Sequence, residues 1–168
     1  MSKIYVDEIA PKTTGGGIII DVPVFKAEGS DTDQSISAAT STKLEMPTVV
    51  FDTHGYYDAA NYRFTPKIAG YYQFYGKVRF KSGSTKTESV VLHIYKNGSS
   101  ADAAQWQLDS STAKWNNPVL TFPTTVIYAN GTTDYFEPFI YSNQAGTATD
   151  TSSQDLRSQF GGHLVRGA

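Results

Sequence analysis

The residues that could carry catalytic chemistry in this 168-residue chain are few and scattered. Asp134 and Glu137 flank Tyr135-Phe136 on a predicted strand, and paired carboxylates could do acid–base work on a glycosidic bond. One isolated pair close to a turn is weak support for that reaction. The chain has no Gly-x-Ser-x-Gly motif, no phosphate-binding loop and no His-x-x-x-His pair. We therefore predict that the protein is not an enzyme and has no catalytic residue and no cofactor.

Residues that could bind a metal ion are equally sparse. The three histidines, His54, His93 and His163, stand far apart and lack the spacing of metal ligands. His93 and His163 alternate with apolar neighbours, which favours outward-facing or hydrogen-bonded positions in a sheet. Asp31 and Asp33 could contribute to a calcium site, but a solvated loop explains their Ser/Thr/Asp-rich surroundings better. We predict no metal site.

Aromatic residues and two sequons raise the question of glycans. Five aromatic residues could form a glycan-binding patch, although such residues on strands more often pack in a core or across strands. They are Trp106, Trp115, Tyr128, Tyr135 and Tyr141. Asn97-Gly98-Ser99 and Asn130-Gly131-Thr132 match the N-glycosylation sequon, but both are explained as tight hairpin turns.

Composition limits the fold and the partners. Charged residues make up only 18% of the chain, the net charge is −2, and cysteine is absent. The abundance of Tyr, Phe, Thr and Ser favours strands over helices. A weakly acidic chain without a Lys/Arg cluster is not a nucleic-acid binder. No apolar run is long enough to span a membrane and no signal peptide follows Met1, so we expect synthesis in the cytoplasm.

The elements that must position these residues are strands. The longest predicted strand covers residues 70–80 and alternates strictly, with a core face and an opposite face. The core face carries Tyr72, Phe74, Val78 and Phe80, and the opposite face carries Tyr71, Gln73, Tyr75, Lys77 and Arg79. Further strands are predicted at residues 35–37, 89–95, 103–108, 118–128, 133–141 and 157–165, with strand pieces broken at Pro47 in residues 43–51 and a loop at 142–155. This pattern predicts an all-β antiparallel sandwich.

Two motifs resemble those of the C1q/TNF-like jelly-roll domains. Phe64-x-Pro66 followed by Gly70-x-Tyr72-x-Phe74 is similar to the central motif of that family. Ser158-x-Phe160-x-Gly162-x-Leu164 is similar to its closing strand. The resemblance covers about residues 22–165. It implies an antiparallel two-sheet jelly roll at residues 22–168, preceded by a short extended N-terminal arm with a Gly-rich linker at residues 1–21.

The same resemblance implies a homotrimer, because members of that family are trimers whose inner sheets pack around a threefold axis. It places Tyr71, Gln73, Tyr75 and Phe160 at the trimer interface. Exposed tyrosines on a sheet face would form an apolar patch that needs cover, and burying each ring would stabilise the assembly by about 1.5–3 kcal/mol. The chain departs from the family in lacking a collagen-like stem, so the complement recognition role does not carry over.

The residues of the predicted N-terminal arm are the reason to expect a larger partner. Its β-prone apolar residues are Ile4, Tyr5, Val6 and Ile9, followed by Pro11 and a glycine run at residues 15–17. Such residues favour an arm that adds a strand to a partner over a frayed terminus. The opening also resembles the N-termini of tailed-phage virion proteins.

This second resemblance implies a non-enzymatic virion protein. The leading hypothesis is a trimeric capsid decoration or cement protein on the capsid surface, attached by its arm to the major capsid protein or another virion protein. The short stretch before the domain favours this role over a receptor-binding tail-fibre tip. The alternatives are that fibre tip and a C1q-like module that binds a host-surface glycan.

Overall fold

The computed structural model describes residues 21–83, 89–107, 116–148 and 157–168. In these residues the chain forms fourteen strands in two antiparallel sheets and no helix. Sheet A contains β1 (Val24–Glu28), β2 (Gln34–Ile36), β4 (Thr48–Asp52), β7 (Gly70–Ser82), β10 (Asn116–Thr121), β11 (Thr125–Ala129), β13 (Gly146–Ala148) and β14 (Gln159–Gly167). Sheet B contains β3 (Thr42–Lys43), β5 (Tyr57–Asp58), β6 (Arg63–Phe64), β8 (Ser89–Lys96), β9 (Ser99–Gln107) and β12 (Phe136–Ser142). The predicted all-β antiparallel sandwich is confirmed.

Strand β7 is the centre of sheet A. β14 and β13 pair along one edge of it, and β11 and β10 pair along the other. β1 and β4 extend the sheet beyond β14, and β2 extends it beyond β13. β14 therefore lies between β1 and β7, which joins residues that are far apart in sequence. In sheet B the order is β5-β6-β12-β8-β9, with β3 also on β12.

Aromatic rings fill the space between the two sheets. The predicted core residues of β7, Tyr72, Phe74, Val78 and Phe80, are all fully buried. Phe74 of sheet A packs against Phe136 of sheet B with 4.4 Å between ring centroids. The strict alternation of β7 therefore directs one face into the core and leaves the other face outward. No helix long and apolar enough to cross a membrane occurs in the described residues.

The two Asn-Gly steps differ, which corrects one prediction. Asn97 and Gly98 both have positive φ, 54° and 80°, and connect the paired strands β8 and β9 as a hairpin. The predicted hairpin at Asn130-Gly131 is wrong, because β11 belongs to sheet A and β12 to sheet B. The side-chain Oδ1 of Asn130 accepts hydrogen bonds from the N–H groups of the next residues, 132–134, and so forms the turn without a partner strand.

Two further strand predictions are corrected. The predicted loop at residues 142–155 contains β13, which pairs with both β2 and β7. The predicted strand at 118–128 is two strands, β10 and β11, separated by residues 122–124. Pro123 lies in that interruption and has no N–H for a continuous ladder.

Candidate functional site

The outward face of sheet A carries an exposed aromatic patch. Tyr71 and Tyr128 are register partners on β7 and β11, and their ring centroids lie 5.5 Å apart. Val126 is the partner of Gln73 on the same two strands. Tyr71 is 47% exposed, Tyr128 42% and Val126 51%. We call the set Tyr71, Tyr75, Val126 and Tyr128 the outer-face patch.

The predicted interface residues of β7 all lie on this face. Tyr71 is exposed, whereas Gln73 and Tyr75 are half-buried. On the opposite edge of β7, His163 of β14 is the register partner of Gln73, and its ring centroid lies 6.5 Å from that of Tyr75. The structure thus brings Tyr71, Gln73 and Tyr75 onto one surface. Their role at a subunit interface stays a prediction.

Phe160 does not lie on this face, which corrects its predicted placement. Its side chain is fully buried, stacked on Phe74 at 5.8 Å and edge-on to Phe25 at 5.4 Å. Its register partner on β7 is Gly76, which alternates in step with the buried Phe74 and Val78 and so belongs to the core-facing side. Gly161 occupies the outward position next to it.

Sequence reasoning missed Val126 and did not place Tyr128 beside Tyr71. Both belong to β11, whose alternation sends Val126 and Tyr128 to the exposed face and Ala129 into the core. That period of two is visible in the sequence. The pairing of β11 with β7 is not visible, and it is the pairing that joins the two sets of side chains.

Asp134 is fixed as an ion by its neighbours. Its Oδ2 lies 2.8 Å from Lys96 Nζ and accepts the N–H of Asn130, while its Oδ1 accepts from Asn97 Nδ2 at 2.8 Å. Desolvation tends to raise its pKa, but the hydrogen bonds from Asn97, Lys96 and Asn130 outweigh this, so the pKa is lowered. An acid held ionised in this way is not suited to donate a proton to a leaving group.

Glu137 has its own lysine. Its Oε1 lies 2.9 Å from Lys43 Nζ, and Lys43 also donates to a backbone carbonyl at Asn61. The carboxylate of Glu137 is buried, so this pairing offsets the cost of removing it from water. The two carboxylates are thus separately paired with cations, and they support the turn and strand β12.

The histidines and the loop aspartates serve local contacts. His93 Nδ1 lies 3.0 Å from Ser100 Oγ, and burial lowers the pKa of His93. His54 Nδ1 lies 2.9 Å from Thr53 Oγ1. Asp31 is exposed and pairs with Arg157. In the part of the chain that the structure describes, no three His, Asp or Glu side chains are grouped so that they could hold a metal ion.

The five aromatic residues considered for a glycan patch do not share one surface. Tyr128 belongs to sheet A, whereas Tyr141 and Trp106 are on strands of sheet B. Trp106 packs partly against the core, and Tyr135 lies under Arg63 with 5.0 Å from the ring centroid to Cζ. Trp115 and the arm residues Ile4, Tyr5, Val6, Ile9 and Pro11 lie outside the described residues.

Comparison with known proteins identifies the fold. No family model and no curated protein sequence matches the chain. Among solved structures, the globular domain of zebrafish complement 1qA protein aligns with a TM-score of 0.56 and 13% identity, covering 88% of this chain and 100% of that one. The fold is a C1q/TNF-like jelly roll. The predicted fold class is therefore confirmed.

Two further C1q/TNF-like structures give the same result. Murine APRIL aligns with a TM-score of 0.55 and 12% identity over 86% of this chain and 100% of that one. Eiger TNF from S. frugiperda aligns with a TM-score of 0.55 and 10% identity over 88% of this chain and 93% of that one. At identities this low the similarity is limited to the backbone arrangement. The outer-face patch is described from the side chains of this chain alone.

Proposed function

We propose that the chain is a non-enzymatic structural protein that forms a homotrimer through the outward face of sheet A. Within that role, we propose a capsid decoration protein of a tailed phage, attached to the capsid surface by its N-terminal arm. The observation that carries the trimer is the outer-face patch, which exposes aromatic and aliphatic side chains side by side on a regular sheet. Contiguous apolar surface of this kind marks an interaction site.

The energy available from covering the patch is moderate for one chain and adds up in an assembly. Tyr71, Val126 and Tyr128 are each about half exposed. Covering the remaining half of each would contribute about 1 kcal/mol per side chain, since full burial is worth about 1.5–3 kcal/mol. A closed ring of three subunits repeats every contact three times. Tyr75 and His163 would extend the contact toward β14.

The arm supplies the proposed attachment. Ile4, Tyr5, Val6 and Ile9 have the composition of a strand that adds to the exposed sheet edge of a partner. Three arms on one trimer would bind far more tightly than one, because the second and third contacts are intramolecular. The resemblance of this opening to tailed-phage virion proteins supports the choice of a capsid or other virion protein as the partner.

The trimer is tested with charged substitutions on the patch. We expect the wild-type chain to have three times the protomer mass in light scattering coupled to size exclusion. Tyr71→Glu combined with Tyr128→Glu should give a folded monomer, because six carboxylates cannot be buried together. Ala103→Glu, at an exposed position of β9 on the other sheet, is the matched control and should stay trimeric. A wild-type chain that is monomeric at every concentration would refute the proposal.

The attachment is tested separately with a chain that lacks residues 1–17. We expect that deletion to leave the trimer intact and to abolish binding to undecorated capsids. Val6→Asp should weaken binding in the full-length trimer, whereas Asp7→Ser should not. Unchanged capsid occupancy after the deletion would show that the arm is not the attachment.

The alternative function, a receptor-binding tip or glycan-binding module, is favoured by one observation. The Tyr71 and Tyr128 rings are inclined at 59° and each is about half exposed in a single chain, so either ring could stack on a sugar. Binding of the purified protein to host cells, without affinity for capsids, would decide for this alternative. Loss of that binding in Tyr128→Ala would assign it to the patch.

A further inference from the structure

A cavity of about 420 Å³ opens beside β5 and β6 of sheet B, whereas the outer-face patch lies on sheet A. Its lining combines cationic, aromatic and hydroxyl groups. The residues that matter for the argument are His54, Tyr56, Asp58, Arg63, Thr65 and Lys67. The volume is that of a site for a small molecule. All of these lining residues belong to one chain.

Three of the lining residues are held on one side of an extended segment. Arg63, Thr65 and Lys67 line the cavity, while the intervening Phe64 and Pro66 are buried. Phe64 is fully buried and stacked on Phe25, with 4.1 Å between ring centroids. A proline also keeps the residue before it extended, which fixes Thr65. Two cations and a hydroxyl are thus mounted on a backbone that is anchored in the core.

The guanidinium of Arg63 has an unused donor. Its Cζ lies over the ring of Tyr135, 5.0 Å from the centroid, and its Nε is buried without a hydrogen-bond partner among the described residues. A buried N–H that lacks an acceptor costs about 1–3 kcal/mol, so such groups are rare. Because Nε is enclosed, contact with a ligand in the cavity would fall to the terminal N–H groups of the guanidinium. Lys67 Nζ donates to the carbonyl of Thr132 at 3.1 Å and has further N–H groups to offer.

The one carboxylate in the lining does not use these donors. Asp58 Oδ1 accepts from the N–H groups of Ala60 and Asn61, and its Oδ2 accepts from Asn61 Nδ2 at 2.6 Å. The hydrogen bond from the Asn61 side chain is the main reason why the pKa of Asp58 is lowered. Asp58 is also the register partner of Arg63, whose charge contributes to lowering its pKa. Arg63 and Lys67 still give the lining two positive charges against the one negative charge of Asp58, which leaves a positive excess for an anionic ligand.

We infer that this cavity binds a carboxylated sugar of the uronic-acid type, with its carboxylate on Arg63 and Lys67. An arginine fork takes a carboxylate with two parallel hydrogen bonds, and the lysine adds charge. A bare carboxylate would leave most of the cavity empty. The hydroxyl of Thr65 and the ring of Tyr56 provide the polar and the stacking contacts that a sugar ring uses. The ligand is either a free sugar acid or a residue of an acidic polysaccharide.

Isothermal titration calorimetry on the full-length protein tests the inference with three small probes. Glucuronate is expected to bind saturably. Glucose, which lacks only the carboxylate function, and acetate, which lacks only the sugar, should each bind at least tenfold more weakly. An oligoglucuronide distinguishes the sources: binding as tight as or tighter than that of glucuronate indicates a polysaccharide, and loss of binding indicates a free sugar acid. Absence of saturable glucuronate binding, or equal affinity for acetate, would overturn the inference.

Variants assign any binding to the cavity. Arg63→Gln should weaken glucuronate binding at least tenfold, and Arg63→Lys should fall between it and the wild type because the fork is lost and the charge is kept. Lys67 is exposed, so Lys67→Gln should fold normally and weaken binding several-fold. If Arg63→Gln fails to fold, Lys67→Gln provides the test of the site. Arg166→Gln, the same charge change at an exposed position of β14, should bind as the wild type. Glucuronate affinity unchanged in Lys67→Gln and Arg63→Lys would refute this site.

Discussion

Replacement of Phe160 by alanine separates the core of the sandwich from its outer face. The ring is fully buried and is surrounded by Phe25, Phe74 and Phe122, with centroid distances of 5.4, 5.8 and 6.2 Å. Truncating a buried phenylalanine costs about 3–5 kcal/mol of unfolding free energy. For a chain of 168 residues, each kcal/mol lowers Tm by about 2–4 °C. We therefore expect Phe160→Ala to lower Tm by about 6–20 °C.

Thermal unfolding followed by circular dichroism measures this effect. All variants must be compared at one protomer concentration, because the Tm of an assembly depends on concentration. Phe160→Leu keeps most of the buried volume and should lose much less stability than the alanine variant. Tyr71→Ala is the matched surface variant, since Tyr71 is 47% exposed on the other side of sheet A. It should change the mass of the particle more than the stability of the chain.

The opposite pattern would contradict the reasoning. If Phe160→Ala keeps its Tm within about 2 °C of the wild type while the assembly dissociates, the ring lies in a subunit contact. The core placement would then be wrong, together with the register that pairs Phe160 with Gly76.

Three further variants test local features. In Gly162→Ala the new Cβ would lie 2.8 Å from the carbonyl oxygen of Gln73, so Tm should fall by several degrees. Gly167→Ala is the control: its Cβ would have no atom within 4 Å, and its Tm should equal that of the wild type. Asp134→Asn should lose about 1–3 kcal/mol at neutral pH in urea unfolding, because its partners keep charge and donors without a matching acceptor. Folding lowers the pKa of Asp134, so its contribution to the free energy of unfolding is complete above the ordinary value of 3.8 and is lost as the pH falls through the lower folded value. The difference in unfolding free energy between variant and wild type should therefore be smaller at about pH 3 than at pH 5. Tyr72→Phe removes a hydroxyl that donates to a backbone carbonyl at 2.9 Å and should cost about 1 kcal/mol in the same assay, and an unchanged midpoint would count against that hydrogen bond.

The sequence predicted best where alternation is local and strong. Strand β7 was predicted at residues 70–80 and observed at Gly70–Ser82, with its two faces correctly assigned. The placement of Phe160 failed because it rested on the family resemblance. The alternation of β14 indicates the opposite placement, since Gln159 and His163 on one face are polar whereas Phe160 and Leu164 on the other are apolar and pack in or against the core.

Features created by tertiary pairing were beyond sequence reasoning. β13 has only three residues, Gly146–Ala148, and becomes a strand because β2 and β7 supply hydrogen bonds on its two edges. The outer-face patch likewise depends on the pairing of β11 with β7. The alternation of Arg63, Thr65 and Lys67 is legible in the sequence. The sequence does not show whether Arg63 and Lys67 are available to a ligand, because this depends on which groups the oxygens of Asp58 bind.

The position of β14 between β1 and β7 bears on how the molecule is made. β1 and β7 do not pair with each other. Each pairs with β14, which is translated about eighty residues after β7 ends. A nascent chain on the ribosome can thus form the β8–β9 hairpin early, but sheet A can close only after residue 167 has left the exit tunnel. Folding of this domain should be slow for its size, since such distant pairings carry a large loop-closure entropy. Until then the aromatic residues of the unfinished sheet are open to chaperones and to one another.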